Sequence, residues 1–187
     1  VMYGQCEATA RMAYLPWDMS LAKIGAMGIP IPGGQFELID VDGQVITQPH
    51  VTGELRYRGK NVTLGYATTG DDLRKGDEFG GVLETGDMAQ VDEDGYYTIV
   101  GRKKRFLKLF GNRVNLDEVE RMLKSQFPGV EVACAGRDDR LTLFATDEAK
   151  LPQMRAWLAE KTGINISGFV PHAIPAIPQN EAGKTLY

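Results

Sequence analysis

Apolar and polar positions alternate most clearly on either side of Asp92-Glu93-Asp94-Gly95. An Asp-Gly step between two alternating runs predicts a β-hairpin. The same pattern occurs earlier: Phe36–Asp40 and Gln44–Ile46 flank Asp42-Gly43, a second hairpin signal. Between Gly53 and Arg58, Leu55 and Tyr57 alternate with Glu54, Arg56 and Arg58, the signature of a half-exposed strand. Residues 36–100 therefore read as a meander of short antiparallel strands. Residues 1–35 are turn-rich and irregular, and the stretch 24–34, IGAMGIPIPGG, lacks the lysine and serine of a phosphate loop, so it reads as structural.

Past residue 115 the period changes. Leu116, Val119, Met122 and Leu123 fall at helical spacing, with Asn115 and Glu118 as a capping pair and Pro128-Gly129 as the stop. Val130–Ala135 and Leu141–Thr146 read as paired strands across the polar turn Arg137–Arg140. Pro152 opens a second helix whose buried stripe is Met154, Trp157 and Leu158, closed by Gly163. Val170–Pro178 carries prolines at 171, 175 and 178, so it is an edge strand or an extended arm. The fold class is α+β: a β-rich first part, an antiparallel meander or distorted barrel, then two helices on a short sheet.

Composition narrows the functional classes. The chain has 187 residues, 43% hydrophobic and 25% charged, with a net charge of −4. Those values are those of a globular protein with a core. No apolar run approaches the roughly 20 residues that span a bilayer. Arg102-Lys103-Lys104-Arg105 is one short basic run in an acidic chain, read as a solvated connector rather than a nucleic-acid surface. Cys6 and Cys134 form no close pair and show no metal spacing, so a reduced, cytoplasmic setting is expected. His50 and His172 are isolated and are assigned no role.

Five stretches stand out, four as candidate chemistry and the second as structural, in order: Tyr3-Gly4-Gln5-Cys6-Glu7; Gly53-Glu54-Leu55 through Gly65-Tyr66; Thr85-Gly86-Asp87; Gly101-Arg102 with Lys108-Leu109-Phe110-Gly111-Asn112-Arg113-Val114; and Asn180-Glu181-Ala182-Gly183-Lys184. An ionised Asp87 can accept two hydrogen bonds, as the paired hydroxyls of a ribose require. Arg102 offers a rigid fork of donors suited to oxyanions. Glu7 offers a carboxylate, an acceptor-only oxygen pair when ionised. Lys184 is a mobile cation of the kind that offsets repulsion between two anionic reactants.

The ordered set resembles the adenylate-forming superfamily: acyl-CoA synthetases, luciferases and peptide-synthetase adenylation domains. The resemblance implies that residues 1–100 are the β-rich end of a large AMP-binding domain, that 101–105 are a hinge pivoting at Lys104, and that 106–187 form a small mobile lid. It implies ATP and AMP, Mg²⁺ and coenzyme A as ligands. Tyr3, Gly4, Asp87 and Arg102 would serve the nucleotide, Glu7 the Mg²⁺, and Lys184 adenylation of a carboxylic acid. Lys108 and Gly111 would serve transfer to a thiol, either coenzyme A or the arm of a carrier protein. Cys6 stands where the family usually has threonine, and a thiol is a weaker donor than a hydroxyl. The serine- and threonine-rich phosphate loop of the family lies upstream of its first motif here. The chain therefore reads as the C-terminal portion of a longer ligase that by itself makes no acyl-AMP. A degenerate module that holds nucleotide without chemistry is the alternative.

Overall fold

The structure is a computed structural model covering residues 1–187. The chain falls into two compact units, Val1–Lys103 and Lys104–Tyr187.

The first unit is built on β-strands. A small antiparallel sheet joins β1 (Met2–Tyr3), β2 (Ala13–Tyr14) and β3 (Ile29–Pro30). A larger sheet follows, formed by β4 (Gln35–Ile39), β5 (Val45–Ile46), β6 (Gly53–Arg58), β7 (Val82–Val91) and β8 (Tyr97–Arg102). Its order is β5-β4-β6-β7-β8, all antiparallel, and it does not close into the distorted barrel that the strand pattern also allowed; on the edge strand β8, Tyr97 bridges to Gly28. Both predicted hairpins form. At the β7–β8 turn the Asp92 carboxylate accepts the amides of Asp94 and Tyr96, and Lys23 bonds its Oδ2 at 2.8 Å. The alternation read in 53–58 is a real face: Leu55 and Tyr57 are fully buried, among Met12, Phe36, Leu38 and Leu83.

The second unit begins with the hairpin β9 (Phe106–Leu109) and β10 (Asn112–Asn115), which leads into α1 (Leu116–Gln126). Asn115 caps α1 by accepting the Asp117 amide at 3.0 Å. Then come β11 (Val132–Arg137), β12 (Arg140–Ala145), α2 (Leu151–Thr162) and β13 (Phe169–Ala173). The sheet order is β11-β12-β13, with β11 antiparallel and β13 parallel to β12. Pro171 sits on the edge strand, where its missing N–H costs no ladder bond. Leu123, Leu141, Leu143, Met154, Leu158 and Phe169 are fully buried in one core. Gly163 ends α2 in the left-handed region, its amide on the Ala159 carbonyl.

Two glycine-bearing stretches take forms that the strand pattern did not specify. Thr85-Gly86-Asp87 is a bulge inside β7. The ladder with β6 shifts register there, and the Thr85 hydroxyl takes over by donating to the Leu55 carbonyl at 2.7 Å. Gly86 supplies the positive φ of 69° that such a bulge uses. Phe110-Gly111 is a two-residue hairpin turn with φ of 49° and 84°, the twist-matched type. Phenylalanine rarely accepts that conformation. Here its amide is held by the Asp139 carboxylate at 2.7 Å and its ring lies against Gly168.

Candidate nucleotide and transfer sites

In the first unit, residues far apart in sequence meet at Asp87. β1 carries Tyr3, and the chain just after it carries Gln5. β7 carries Asp87, and β8 ends in Arg102, directly opposite Asp87 in the ladder. Tyr3 donates its hydroxyl to Asp87 Oδ2 at 2.6 Å. Gln5 Nε2 donates to the same oxygen at 2.9 Å and to the Thr85 carbonyl at 3.0 Å. Arg102 Nε pairs with Asp87 Oδ1 at 2.9 Å. The carboxylate is only 4% exposed, whereas the Arg102 side chain is 60% exposed and leaves the rest of its fork in solvent. Burial, and then the Asp87 carboxylate beside it, push the Tyr3 phenol well above its usual range, so it stays a donor. Gln5 is the member that sequence reasoning missed. Its place between Gly4 and Glu7 gave no chemical signal, because the contact depends on the β7 bulge turning Asp87 toward β1.

Glu7 lies on the loop between β1 and β2. Asn61 anchors that loop by donating to the Ala8, Thr9 and Arg11 carbonyls at 3.2–3.3 Å, and the Thr63 amide donates to the Glu7 carbonyl at 2.8 Å. Tyr66 donates its hydroxyl to Glu7 Oε1 at 2.7 Å, the main reason the carboxyl lies below its usual range. A single hard carboxylate, half-exposed and ionised, fits Mg²⁺, which keeps waters and takes substrate phosphates rather than a closed protein cage. The neighbouring Cys6 is exposed.

The basic run is not a solvated connector throughout. Lys103 reaches Glu54 at 2.6 Å, and Arg105 is buried. Desolvating a guanidinium demands full pairing. Arg105 obtains it from Asp117 at 2.7 Å, Glu120 at 2.5 Å and the Cys134 carbonyl at 2.6 Å. Lys104 is exposed.

In the second unit, Lys108 and Gly111 share the β9–β10 hairpin. Lys108 stands opposite Arg113. The hairpin is tied to the β11–β12 turn: the Lys108 amide donates to Asp138 Oδ1 at 2.8 Å and the Asp139 amide to the Lys108 carbonyl at 2.6 Å. At that second turn Arg137 stands opposite Arg140. Like charges directly across a ladder oppose folding. All four of these cations are exposed. Lys184 is exposed on a separate turn between Asn180 and Thr185.

The family profile described as AMP-binding enzyme matches residues 1–67. A 2-succinylbenzoate–CoA ligase from Geobacillus sp. is 35% identical over 137 residues, covering 73% of this chain and 27% of that protein. An L-proline–[L-prolyl-carrier protein] ligase from Streptomyces coelicolor is 31% identical over 201 residues, covering all of this chain and 37% of that protein. The chain belongs to the adenylate-forming superfamily. An o-succinylbenzoate CoA synthetase from Bacillus subtilis, solved with an acyl-adenylate intermediate, shares the fold at a TM-score of 0.71 and 23% identity, over 98% of this chain and 39% of that one. This member of the superfamily thus spans about a quarter to two fifths of the length of the relatives it matches. None of its helices is long and apolar enough to cross a membrane.

Proposed function

We propose that this chain is part of an AMP-forming acid:thiol ligase. In its first half-reaction a substrate carboxylate oxygen attacks the α-phosphorus of ATP, the bond to the bridging oxygen breaks and pyrophosphate leaves. In the second, a thiol attacks the acyl carbonyl and AMP leaves. The observation that carries this reading is the convergence of Tyr3, Gln5 and Arg102 on the buried Asp87 carboxylate. A carboxylate buried with donors on both oxygens is a fixed acceptor, and it need not reorganise to receive a ribose hydroxyl.

In this reading Asp87 receives the ribose, and Arg102 serves the ribose or the neighbouring phosphate with its exposed donors. Tyr3, beside Gly4, holds the carboxylate in place. Glu7 holds Mg²⁺, which when bound would draw charge from the phosphate oxygens. Lys184 offsets the negative charge that builds as carboxylate and phosphate approach. Lys108 and Gly111 serve the thiol step, and Lys104 is the pivot between the half-reactions.

For the acceptor we propose coenzyme A. The cross-strand pairs Lys108–Arg113 and Arg137–Arg140 support it, because a phosphate-rich thiol offsets the repulsion within each pair. A carrier-protein arm is the second reading, favoured by the likeness to the prolyl-carrier protein ligase. The test is a product assay on the full-length enzyme over a panel of carboxylic acids with each acceptor. Formation of AMP, pyrophosphate and an acyl-CoA is expected, and Arg137→Ala with Arg140→Ala should raise the apparent KM for coenzyme A. Formation of ADP, or thioester on a carrier protein alone, would contradict the reading. The 187-residue chain by itself is expected to release no pyrophosphate.

A further inference from the structure

Lys184 is exposed, yet the main chain that carries it is not loose. The outgoing leg leaves the core at Ile177, which is buried. The chain then folds back: the Leu186 amide donates to the Pro178 carbonyl at 2.9 Å and the Asn180 amide to the Lys184 carbonyl at 2.9 Å. The Asn180 side chain accepts the amides of Ala182 at 3.1 Å and Lys184 at 2.9 Å, closing the turn from within. Gly183, at φ of 74°, supplies the left-handed step.

The return leg ends on Tyr187. Its ring centroid lies 3.6 Å from the Arg105 guanidinium carbon, and its hydroxyl donates to Glu120 Oε2 at 2.8 Å. What it lands on is rigid. Arg105 is held by Asp117, Glu120 and the Cys134 carbonyl, and Glu120 Oε1 also accepts the Cys134 amide at 2.7 Å. This network joins the start of β9, the inner face of α1 and the middle of β11. A guanidinium stacked on an aromatic face, with that same ring hydrogen-bonded to the guanidinium's carboxylate partner, fixes both position and tilt of the ring.

We infer that Tyr187 is a positioning residue for Lys184: ring and hydroxyl together anchor the returning leg of the lysine's turn on the Arg105–Glu120 pair. The ammonium is thereby carried on a turn fixed to the residue that directly follows Lys104. This rests on the reading of Lys184 as the adenylation lysine. The side chain keeps its own rotamers while its Cα does not wander. That matters for a group which must arrive between two anions, since a displacement of about 1 Å at a reacting group can cost on the order of a hundredfold in rate.

Two readouts test it. The first uses hydrogen exchange in this chain. Tyr187→Ala should speed exchange at the amides of Ala182, Lys184 and Leu186 at least about tenfold while β11 and α2 stay protected; unchanged protection would overturn the anchor. The second uses the full-length enzyme. Tyr187→Ala should slow adenylation about ten- to a hundredfold and leave thiol transfer from supplied acyl-AMP within about twofold. Tyr187→Phe, which keeps the ring, should recover most of the rate. In a Lys184→Ala background the tyrosine change should add nothing further, because it acts through the lysine. Losses that multiply, or that strike both half-reactions alike, would mark Tyr187 as merely structural and overturn the inference. If Lys184→Ala alone leaves adenylation intact, the functional reading of the lysine fails, and the exchange result alone then decides the anchor.

Discussion

The Asp87 cluster and the Lys184 turn place a charge by opposite means. Asp87 is buried, both oxygens are engaged, and the side chain itself is immobilised by Tyr3, Gln5 and Arg102. Lys184 is exposed, and only its backbone is fixed, by the Asn180 turn and the Tyr187 anchor. The first arrangement suits a group that binds a ligand in one geometry. The second suits a group that engages charge only as it develops. A preformed acceptor lowers the reorganisation cost of binding, whereas a cation immobilised too early would hold the ground state as well as the transition state and gain no rate.

The contrast can be broken in graded ways. The largest difference should appear in thiol chemistry beside the two sites. Cys6 is exposed on the loop between β1 and β2, while Cys134 is buried under the Arg105 network and burial pushes its thiol up. Alkylation of the folded chain should modify Cys6 fully and leave Cys134 untouched until the second unit unfolds, as mass spectrometry would read; equal labelling would contradict the buried network. Next is stability. Asp87→Ala leaves the Tyr3 hydroxyl without its acceptor and the Gln5 amide with the Thr85 carbonyl but no carboxylate, and should cost about 2–3 kcal/mol in urea unfolding. Lys184→Ala removes an exposed side chain and should stay within about 0.5 kcal/mol.

Glycine changes sharpen the point further. Gly86 and Gly183 both hold positive φ, and a Cβ at either meets nothing within 4 Å. Alanine at each should therefore cost only the backbone strain, about 1–2 kcal/mol. The functional losses should differ, with Gly86→Ala weakening nucleotide affinity and Gly183→Ala slowing adenylation.

The smallest effect is a pH dependence. Burial and then the Glu120 carboxylate push the Tyr187 phenol up to about 12. The folded chain therefore holds the proton over a range where the unfolded chain, near its ordinary value of about 10, has lost it. The contribution of the hydroxyl is fully present below pH 10 and fades as pH rises toward 12. The difference in urea midpoint between the native chain and Tyr187→Phe should shrink across that window; a difference that grows would contradict the anchor.

Much of this could be read from residue order. The alternation at 53–58 and the Asp-Gly turns specified strands and hairpins, because period-2 patterns and left-handed turn positions are local constraints. The ordered motifs singled out Asp87 and Arg102, which the structure pairs, and Lys184, whose role is a proposal. What stayed hidden depended on register and burial. The Thr85-Gly86-Asp87 bulge is set by where β6 and β7 lose step, which no local pattern records. Gln5 entered the cluster only because that bulge aims Asp87 at β1. Arg105 looked like one more solvated cation, since its acidic partners Asp117 and Glu120 lie beyond the β9–β10 hairpin on α1 and meet it only when α1 packs. The strand pattern also allowed the sheet to close on itself, and it does not, since the pairing of first and last strands is a long-range matter that no alternation records.

The most direct measurement is ATP affinity, taken side by side for full-length Asp87→Asn and Lys184→Ala enzymes. On the proposed function, Asp87 as a fixed acceptor and Lys184 as a late-acting cation should separate there. Asp87→Asn should weaken ATP binding about ten- to a hundredfold, the worth of a hydrogen bond to a charged group. Lys184→Ala should bind ATP within about twofold of the native enzyme while its adenylation rate collapses. Equal losses of affinity in the two, or undiminished affinity in Asp87→Asn, would contradict the account.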